Sequence, residues 1–402
     1  MPSVASLADP GWLDPAQLSA RARGWAATME GHPYGALAGP PVRQAHAHRL
    51  AEASPIDHGV ATGLDIGRPR LREEREEHEA AELAPGATRA VGAGRRVTAE
   101  EPDPVRTCFE RDRDRILHSS AYRRLAGKTQ VFVFPSDHQR TRLTHALEVA
   151  QIARSIARAC RANEALAEAI ALGHDCGHGP GGHASEDAFA PFLPEGYDHA
   201  VWGAEVTLAS LNLCVETTDG IRNHSWSRPA PATPEGEIVS WADRIAYVCH
   251  DFEDAAHVGI VQPNTLPTIV KERCGLTRSA QLNAFVLAVV EAVAATGRVA
   301  MTEGTAEALA AFRRWNYEHI YLRPVANAQG QAVVALLRAL VEFYADRPGR
   351  FEPELEAGSP DALRAAVTYV SGMTDRFACA AAVSELGWDP QRLPQGVGVP
   401  FR

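Results

Sequence analysis

Apolar residues recur at helical spacing over most of this chain, from about residue 103 onward. In the clearest stretch, Leu143, Leu147 and Ala150 follow at intervals of four and three residues, and Ile152 and Ile156 widen the stripe. A stripe of this kind is the buried face of an amphipathic helix. The chain is therefore predicted to fold as an all-α, multi-helix globule. Further helices are predicted over residues 71–83, 164–172, 238–256, 280–295, 305–321, 331–345 and 360–377, and only residues 130–134 resemble a strand.

The first part of the chain has a different composition. Residues 1–66 are rich in Ala, Pro, Gly and His and hold one short helical pattern, over residues 15–29. We therefore predict a weakly ordered N-terminal extension over residues 1–66. Over all 402 residues, 45% are hydrophobic and 22% are charged, a balance typical of a folded protein with a sizeable core.

Cysteine usage and the absence of targeting segments predict a cytoplasmic protein. The seven cysteines are scattered and include no Cys-x-x-Cys pair, which favours reduced thiols over disulfides or a structural zinc site. No apolar run reaches the roughly 20 residues that span a bilayer. The first thirty residues contain no basic segment followed by an apolar one, so no secretion signal is expected.

The net charge limits the classes of partner. The chain has 40 basic and 50 acidic residues, a formal charge of −10. An acidic protein is a poor general binder of the nucleic-acid backbone. A small anionic substrate would have to be held by local arginines and a metal ion, against the overall charge.

The most informative segment runs from His174 to His183 and reads HDCGHGPGGH. It holds three histidines and one aspartate within ten residues, together with four glycines and one proline. The glycines and the proline end the preceding apolar helix, so His174 and Asp175 are expected at its last turn, free to converge on one ion. A lone histidine on an apolar face is more often a hydrogen-bonded core residue, as expected for His118 and His250.

Two further ligands are expected from other helices. His145 lies on the amphipathic helix described above, and Asp243 lies on a largely apolar helix, where a carboxylate is costly unless it is paired or bound to metal. Together with His174 and Asp175 they form a set of two nitrogens and two carboxylates without sulfur. Such a set suits Mn, Mg, Fe, Co, Ni or Zn with coordination positions left open, as in a catalytic site.

Asp243, Tyr247 and Asp251 are spaced at i, i+4 and i+8, which places them on one stripe of a helix. If Asp243 faces the metal, the other two point into the same cleft and can bond a sugar hydroxyl. The alternative is a solvated face, which the apolar residues between them disfavour.

Six segments of the chain form an ordered series of motifs. They are RDRDRILHS (111–119), YRRLAGKTQVF (122–132), TRLTHALEVAQIAR (141–154), AIALGHDCGH (169–178), ADRIAY (242–247) and GMTDRFA (372–378). An HD dipeptide alone is weak evidence, whereas the ordered series is specific. By this series, over residues 70 to 385, the chain resembles the bacterial dGTPase-like branch of the HD-domain deoxynucleoside triphosphate (dNTP) triphosphohydrolases.

The resemblance implies an HD-type phosphohydrolase domain over residues 67–395, with a helical C-terminal part, and a role for each matching residue. The implied metal ligands are His145, His174, Asp175 and Asp243, and the implied catalytic residues are His183, its acidic partner Glu186, and His199. The implied substrate contacts are Arg142, Arg244 and His178 with the phosphates, Tyr247 and Asp251 with the deoxyribose, and Gln130 with the sugar or base.

The implied activity is metal-dependent hydrolysis of dNTPs, dGTP among them, to deoxynucleoside and inorganic triphosphate. Water would attack the α-phosphorus, and His183 would protonate the departing 5′ oxygen. The family also implies a homo-oligomer, with nucleotide or single-stranded DNA as a candidate allosteric ligand.

Two alternatives stay open. HD sites also support 5′-nucleotidase, phosphodiesterase and (p)ppGpp-type hydrolase activities, and a fold does not decide between them. A nucleotide- or single-stranded-DNA-sensing module with little catalysis is the second alternative, because residues 106–124 are rich in arginine. Asp112 and Asp114 interrupt that stretch, which favours a salt-bridged helix face.

Overall fold

The structure is a computed structural model, and it describes residues 67–135, 138–352 and 354–395. By its internal contacts the chain divides into two units, Met1–Pro69 and Arg70–Arg402. The predicted weakly ordered extension over residues 1–66, with its short helix, lies outside the described residues. Everything that follows concerns the second unit.

The prediction of an all-α fold is confirmed, because the described ranges contain fifteen α-helices and no strand. In chain order the helices are α1 Arg72–Glu82, α2 Cys108–His118, α3 Ser120–Arg124, α4 Arg142–Cys160, α5 Glu164–Gly173, α6 Ala184–Phe189, α7 His199–Trp202, α8 Val215–Asn223, α9 Pro234–His257, α10 Thr268–Cys274, α11 Arg278–Thr296, α12 Glu303–Asn316, α13 Pro324–Ala345, α14 Pro360–Ser371 and α15 Asp375–Leu386.

Helix α5 lies at the centre of the larger hydrophobic cluster, and it is the helix that ends at the His174–His183 segment. Its N-terminus is capped by Asn163, whose side chain accepts a hydrogen bond from the backbone N–H of Leu166. Ile170 and its neighbours are buried against α4 and α9. Because α4 carries His145 and α9 carries Asp243, this packing brings both residues to the C-terminal end of α5.

A second hydrophobic cluster joins α6 to the C-terminal helices α13, α14 and α15. Phe189 on α6 is fully buried in it, together with Leu337 on α13 and Val367 on α14. The short helix that carries Glu186 is therefore held by the C-terminal part of the chain.

Two predictions about local structure were wrong. Residues 130–134 form bends, and Thr129 makes only an isolated antiparallel bridge to Thr141. Residues 360–377 form two helices, because α14 ends at Ser371 and Thr374 begins a new helix by accepting a hydrogen bond from Phe377 N–H. Apolar residues continue at helical spacing across this break, so the pattern alone could not reveal it.

Helix α11 is long and apolar enough, by length and composition alone, to cross a membrane. Phe285 and Val289 on this helix are fully buried in the larger cluster, against α9 and α4. One face of α11 therefore packs in the larger cluster, while 28% of its apolar window is buried.

Candidate active site

The backbone after α5 is set by close contacts at two glycines. At Gly177 a Cβ atom would lie 2.0 Å from the carbonyl oxygen of His199, so only glycine lets α7 approach this closely. Gly181 has a φ of +72°, in the left-handed region that other residues rarely adopt. These two positions bring His178, His183 and His199 together.

The four predicted metal ligands lie close together. Nε2 of His145 lies 3.0 Å from Oδ1 of Asp243 and 4.0 Å from Oδ2 of Asp175. Nε2 of His174 lies 3.5 Å from Oδ1 of Asp175 and 3.6 Å from Oδ1 of Asp243. Ligand atoms that are each about 2.1 Å from an ion are about 3 to 4 Å apart, so His145, His174 and Asp243 can each offer one atom to a common ion. Asp175 approaches the two histidines through different oxygens, and it forms a second such group with His174 and His224.

The hydrogen bonds of His174 also suit a metal ligand. Its Nδ1 lies 2.6 Å from the carbonyl oxygen of Ala171, so Nδ1 carries the proton and donates. Its buried Nε2 has no hydrogen-bond partner among the described residues. In the neutral form that a metal ligand requires, Nε2 would carry the lone pair available to an ion.

The charges of the predicted metal ligands favour a bound cation. Burial lowers the pKa of His174, but Asp175 and Asp243 more than offset this effect and raise it to about 9. Burial raises the pKa of Asp243, but hydrogen bonds from His145 and His174 bring it well below its usual range. Two carboxylates, the buried Asp175 and the partly buried Asp243, thus attract positive charge, and a divalent ion fits the residues that are present.

A second cluster, formed by His178, His183, Glu186 and His199, lies beside the predicted metal ligands. Oε1 of Glu186 is 2.8 Å from Nδ1 of His183 and 3.1 Å from Nδ1 of His199. The ring of His199 stacks on that of His178, with centroids 3.7 Å apart. Nε2 of His178 is in turn 3.4 Å from Oδ1 of Asp175, so the two clusters adjoin.

The hydrogen-bond partners indicate which ring nitrogens donate and which accept around the second cluster. His224 donates from Nδ1 to the carbonyl of Ile221, and burial, followed by the nearby His174, lowers its pKa to about 3. Neutral His224 therefore has an accepting Nε2, which lies 3.3 Å from Nε2 of His199. Since the ionised Glu186 can only accept, His199 donates to it from Nδ1, and Nε2 of His199 faces the accepting Nε2 of His224. Sequence analysis missed His224, which gives no signal beyond being one more histidine.

One cavity of about 580 Å³ connects these groups. It is lined by every predicted site residue except His174 and Glu186, which lie directly behind the wall: the lining includes Gln130, Arg142, His145, Asp175, His178, His183, His199, Asp243, Arg244, Tyr247 and Asp251.

Several buried hydrogen-bonding groups around the cavity are unused. Arg142 donates from Nη1 to Asp175 at 2.7 Å, while its Nε and Nη2 have no partner in the described ranges. Nε of Arg244, both ring nitrogens of His178 and Oε1 of Gln130 are also buried without a hydrogen-bond partner in the described ranges. The guanidinium of Arg244 lies 3.4 Å above the Trp226 ring. Buried polar groups are rarely left without partners, so this wall is suited to a polar, anionic ligand.

The far side of the cavity is built by α9, α12 and the π-helical turn Tyr317–Tyr321 that follows α12. Tyr247 accepts a hydrogen bond from Nε of Arg313 at 2.9 Å, and Asp251 accepts one from the hydroxyl of Tyr321 at 2.5 Å. Burial raises the pKa of Asp251 to about 7. Sequence analysis missed Arg313 and Tyr321. The available signal was their spacing of eight residues, which repeats that of Asp243 and Asp251.

The prediction of a salt-bridged face over residues 106–124 agrees with the structure. Arg106 pairs with Asp103 at 2.8 Å and with Asp114 at 3.0 Å, and Arg115 pairs with Glu100 at 2.6 Å. His250 is buried, as expected for a core histidine, with Nδ1 3.2 Å from Glu148. The same prediction for His118 was wrong, because this residue is exposed at the C-terminal end of α2.

Comparisons with known proteins assign the class. Residues 142–248 match the HD domain family, and residues 299–383 match the phosphohydrolase-associated domain family. The first range contains all four predicted metal ligands, and the second range contains Arg313 and Tyr321. The fold and the site thus define an HD-type phosphohydrolase.

The relatives narrow the class to a family. A deoxyguanosinetriphosphate triphosphohydrolase-like protein of Caldanaerobacter subterraneus subsp. tengcongensis is 39% identical, over 77% of this chain and 94% of the relative. A protein of the same description from Clostridium perfringens is 38% identical, over 77% of this chain and 95% of the relative. The chain belongs to this family of dGTP triphosphohydrolase-like proteins. Among solved structures, a hypothetical protein from Aquifex aeolicus aligns with a TM-score of 0.44 at 18% identity, over 69% of this chain and 68% of the other.

Proposed function

We propose that this protein hydrolyses deoxynucleoside triphosphates, dGTP among them, to deoxynucleoside and inorganic triphosphate, and that it needs a divalent metal ion. The proposal rests on two groups of residues beside one cavity. The first group is the predicted metal ligands His145, His174, Asp175 and Asp243. The second group, His178, His183, Glu186 and His199, lies next to it, and the exposed ring of His183 lines the cavity. The family relationship supports the substrate class.

The ion would be held by His145, His174, Asp175 and Asp243. When bound, an ion in such a site supplies Lewis-acid stabilisation of phosphoryl oxygens and lowers the pKa of coordinated water. Mn, Mg, Fe, Co, Ni and Zn all suit the donor set.

His183 is the proposed general acid. Its side chain is 75% exposed, and Nδ1 is engaged by Glu186, so Nε2 is the atom left to face a substrate. Glu186 accepts from Nδ1 of His183 and so orients the ring, as carboxylates commonly do for a histidine. Burial raises the pKa of Glu186, but hydrogen bonds from His183 and His199 hold it well below its usual range, so it stays ionised.

The proposed reaction is one displacement at phosphorus. The water oxygen forms a bond to the α-phosphorus, and the bond from that phosphorus to the 5′ oxygen breaks. The 5′ oxygen takes a proton from Nε2 of His183. The attacking water releases a proton to solvent, and His183 is reprotonated from solvent. General acid catalysis of this kind contributes roughly 10²–10⁴ in rate.

The unused donors give the triphosphate a binding wall. Arg142 and Arg244 supply guanidinium donors, and His178 supplies a ring N–H. Burial, followed by the charge of Arg142, lowers the pKa of His178 well below its usual range, so it binds as a neutral ring. Tyr247 and Asp251 then face the deoxyribose, and Gln130 the sugar or base.

The test is a product-resolved assay of the purified full chain with Mn²⁺ and each dNTP, alone and in mixtures, because a second nucleotide can act as an activator. Triphosphate plus deoxynucleoside supports the proposal. Pyrophosphate plus dNMP, phosphate plus dNDP, or turnover of nucleoside monophosphates or cyclic nucleotides alone would assign another HD hydrolase activity. Asp175→Ala should abolish turnover, and a cellular role that survived this change would favour the sensing alternative.

A further inference from the structure

The segment GMTDRFA (residues 372–378) resembles the family, but it supplies no residue to the cavity wall. Its aspartate, Asp375, is the first residue of α15 and is only 6% exposed. A buried carboxylate is costly unless donors surround it.

Both oxygens of Asp375 accept hydrogen bonds from segments that form the cavity. Oδ2 accepts from the backbone N–H of Thr129 at 2.9 Å and from its hydroxyl at 2.6 Å. Oδ1 accepts from the backbone N–H of Gly181 at 2.9 Å. Thr129 precedes Gln130, and Gly181 lies two residues before His183. One carboxylate thus joins the two stretches that carry a proposed substrate contact and the proposed acid.

Lys128 makes the matching connection with opposite charge. It is 3% exposed, and its Nζ donates to the carbonyl of His178 and, at 2.9 Å, to the carbonyl of Ser371. Lys128 and Asp375 therefore each connect the 178–181 loop to the chain around residues 371–375. Neither charge is used by the mechanism proposed above.

The loop needs such a connection because of its own composition. Gly181 and Gly182 both have positive φ angles, +72° and +65°, and consecutive glycines place little restriction on the backbone. Ser185 secures the loop on one side, by donating to the carbonyl of Gly182 at 2.7 Å. On the other side, the bond from Gly181 N–H to Asp375 is what fixes the peptide leading to His183.

We propose that Asp375 is a positioning residue: its carboxylate, with Lys128 beside it, holds the Gly181–His183 loop so that the imidazole of His183 meets the leaving oxygen. The proposal rests on the proposed function for its kinetic consequence. The structural consequence, a protected Gly181 amide, is independent of any activity.

The test compares Asp375→Asn with Thr374→Ala. The asparagine has one carbonyl oxygen, which Thr129 can still engage, while its NH₂ group faces the N–H of Gly181 and cannot accept from it. Thr374 caps the same helix through Phe377 N–H at 3.3 Å and does not contact the loop. Thr374→Ala therefore controls for the general loss of stability of α15.

We expect D375N to lower kcat by about 100-fold with KM within about threefold, since a misplacement of about 1 Å costs that much in rate. Hydrogen–deuterium exchange of the peptide covering residues 179–183 should accelerate in D375N and stay at the wild-type rate in T374A. If D375N does not fold, Thr129→Val, which removes one donor to the carboxylate, should show the same kcat-specific loss to a smaller extent.

Wild-type exchange at residues 179–183 in D375N would overturn the proposal, as would a kcat equal to that of T374A in D375N or, if that variant does not fold, in T129V. If wild-type protein hydrolyses no dNTP, the proposed function fails, but the exchange measurement still decides whether Asp375 holds the loop.

Discussion

At the scale of single residues, the site depends on histidines whose surroundings differ sharply. His183 is three-quarters exposed and pairs with Glu186, whereas His174 and His178 are buried beside carboxylates and arginines. The exposed ring is suited to exchange protons with solvent. The buried rings are suited to hold a ligand in one geometry.

His183→Asn should lower kcat for dNTP hydrolysis by roughly 10²–10⁴ while leaving Mn²⁺ affinity and the melting temperature near wild type, because only the proton donor is lost. Steady-state kinetics and calorimetry with Mn²⁺ measure both quantities. His78→Asn is the matched control, since His78 also pairs with a glutamate, Glu82 at 3.1 Å, but on α1 and outside the cavity. A kcat for H183N within a factor of two of the control would rule out His183 as the acid.

Asp251 should make stability depend on pH. Burial raises its pKa from 3.8 to about 7, so the folded state holds a proton that the unfolded state releases. The resulting stability is fully present below pH 3.8 and is lost as pH rises to about 7. The free energy of unfolding of wild type relative to Asp251→Asn should therefore fall across this window, measured by urea denaturation at constant Mn²⁺. Parallel pH curves would contradict this account, and the exposed Asp361→Asn is the control.

The residues found from sequence and those missed differ in one respect. His174, Asp175 and His178 sit in a segment whose glycines and proline exclude a plain core helix, and Asp243 stands out as a carboxylate among apolar residues. His224 and Arg313 lie in stretches of ordinary composition. Their roles come only from what packs beside them, His199 for the first and Tyr247 for the second.

At the scale of elements, α4 and α9 are the two helices that must stay aligned for the metal-type cluster to form. An ion network centred on the largely buried side chain of Arg140 joins them. Arg140, just before α4, contacts Glu148 on α4 at 2.7 Å, and Glu253 and Asp254 on α9 at 2.8 and 2.5 Å.

Arg140→Met should destabilise the protein by about 3 kcal/mol, because it leaves carboxylates without their buried partner. Equilibrium urea denaturation measures the change. Arg158→Ala removes an exposed pair with Glu164 at the end of α4 and should cost much less. Equal losses in the two variants would show that the network does not hold the helices together.

The periodicity of apolar residues predicted which segments are helices, but it did not always predict where a helix ends. The end of α5 was predictable because glycine and proline follow it directly. The break between α14 and α15 was not, since Gly372 and Thr374 interrupt a pattern that stays apolar on both sides. Residues 130–134 have the apolar composition of a strand, but with no second strand in the described ranges they pair with nothing.

At the scale of the whole molecule, the cavity is built mainly by two parts of the chain, together with residues 129–133. The region 142–248 supplies the predicted metal ligands and the histidines next to them, and the region 299–383 closes the far wall. Through the hydrogen bond from Gly181 to Asp375, the second region also contacts the loop before His183. Sequence analysis could assign each part as helical. It could not show that the second part reaches into the site of the first, because that contact is long-range.

Mn²⁺ should stabilise the whole protein, since it binds only where the folded chain gathers four ligands. At an ion concentration 100 times the Kd, the gain is about 2.7 kcal/mol. Thermal unfolding with and without Mn²⁺ should show a clear rise in wild type and little in Asp243→Asn. An equal rise in Asp243→Asn would place the ion elsewhere.

The most direct measurement is hydrolysis of dNTPs by the full chain with Mn²⁺ in ¹⁸O-labelled water, with both products analysed by mass. We predict one ¹⁸O atom in the released triphosphate and none in the deoxynucleoside, because water attacks the α-phosphorus and the 5′ oxygen leaves. Label in the deoxynucleoside, or release of pyrophosphate or phosphate in place of triphosphate, would contradict the proposed chemistry.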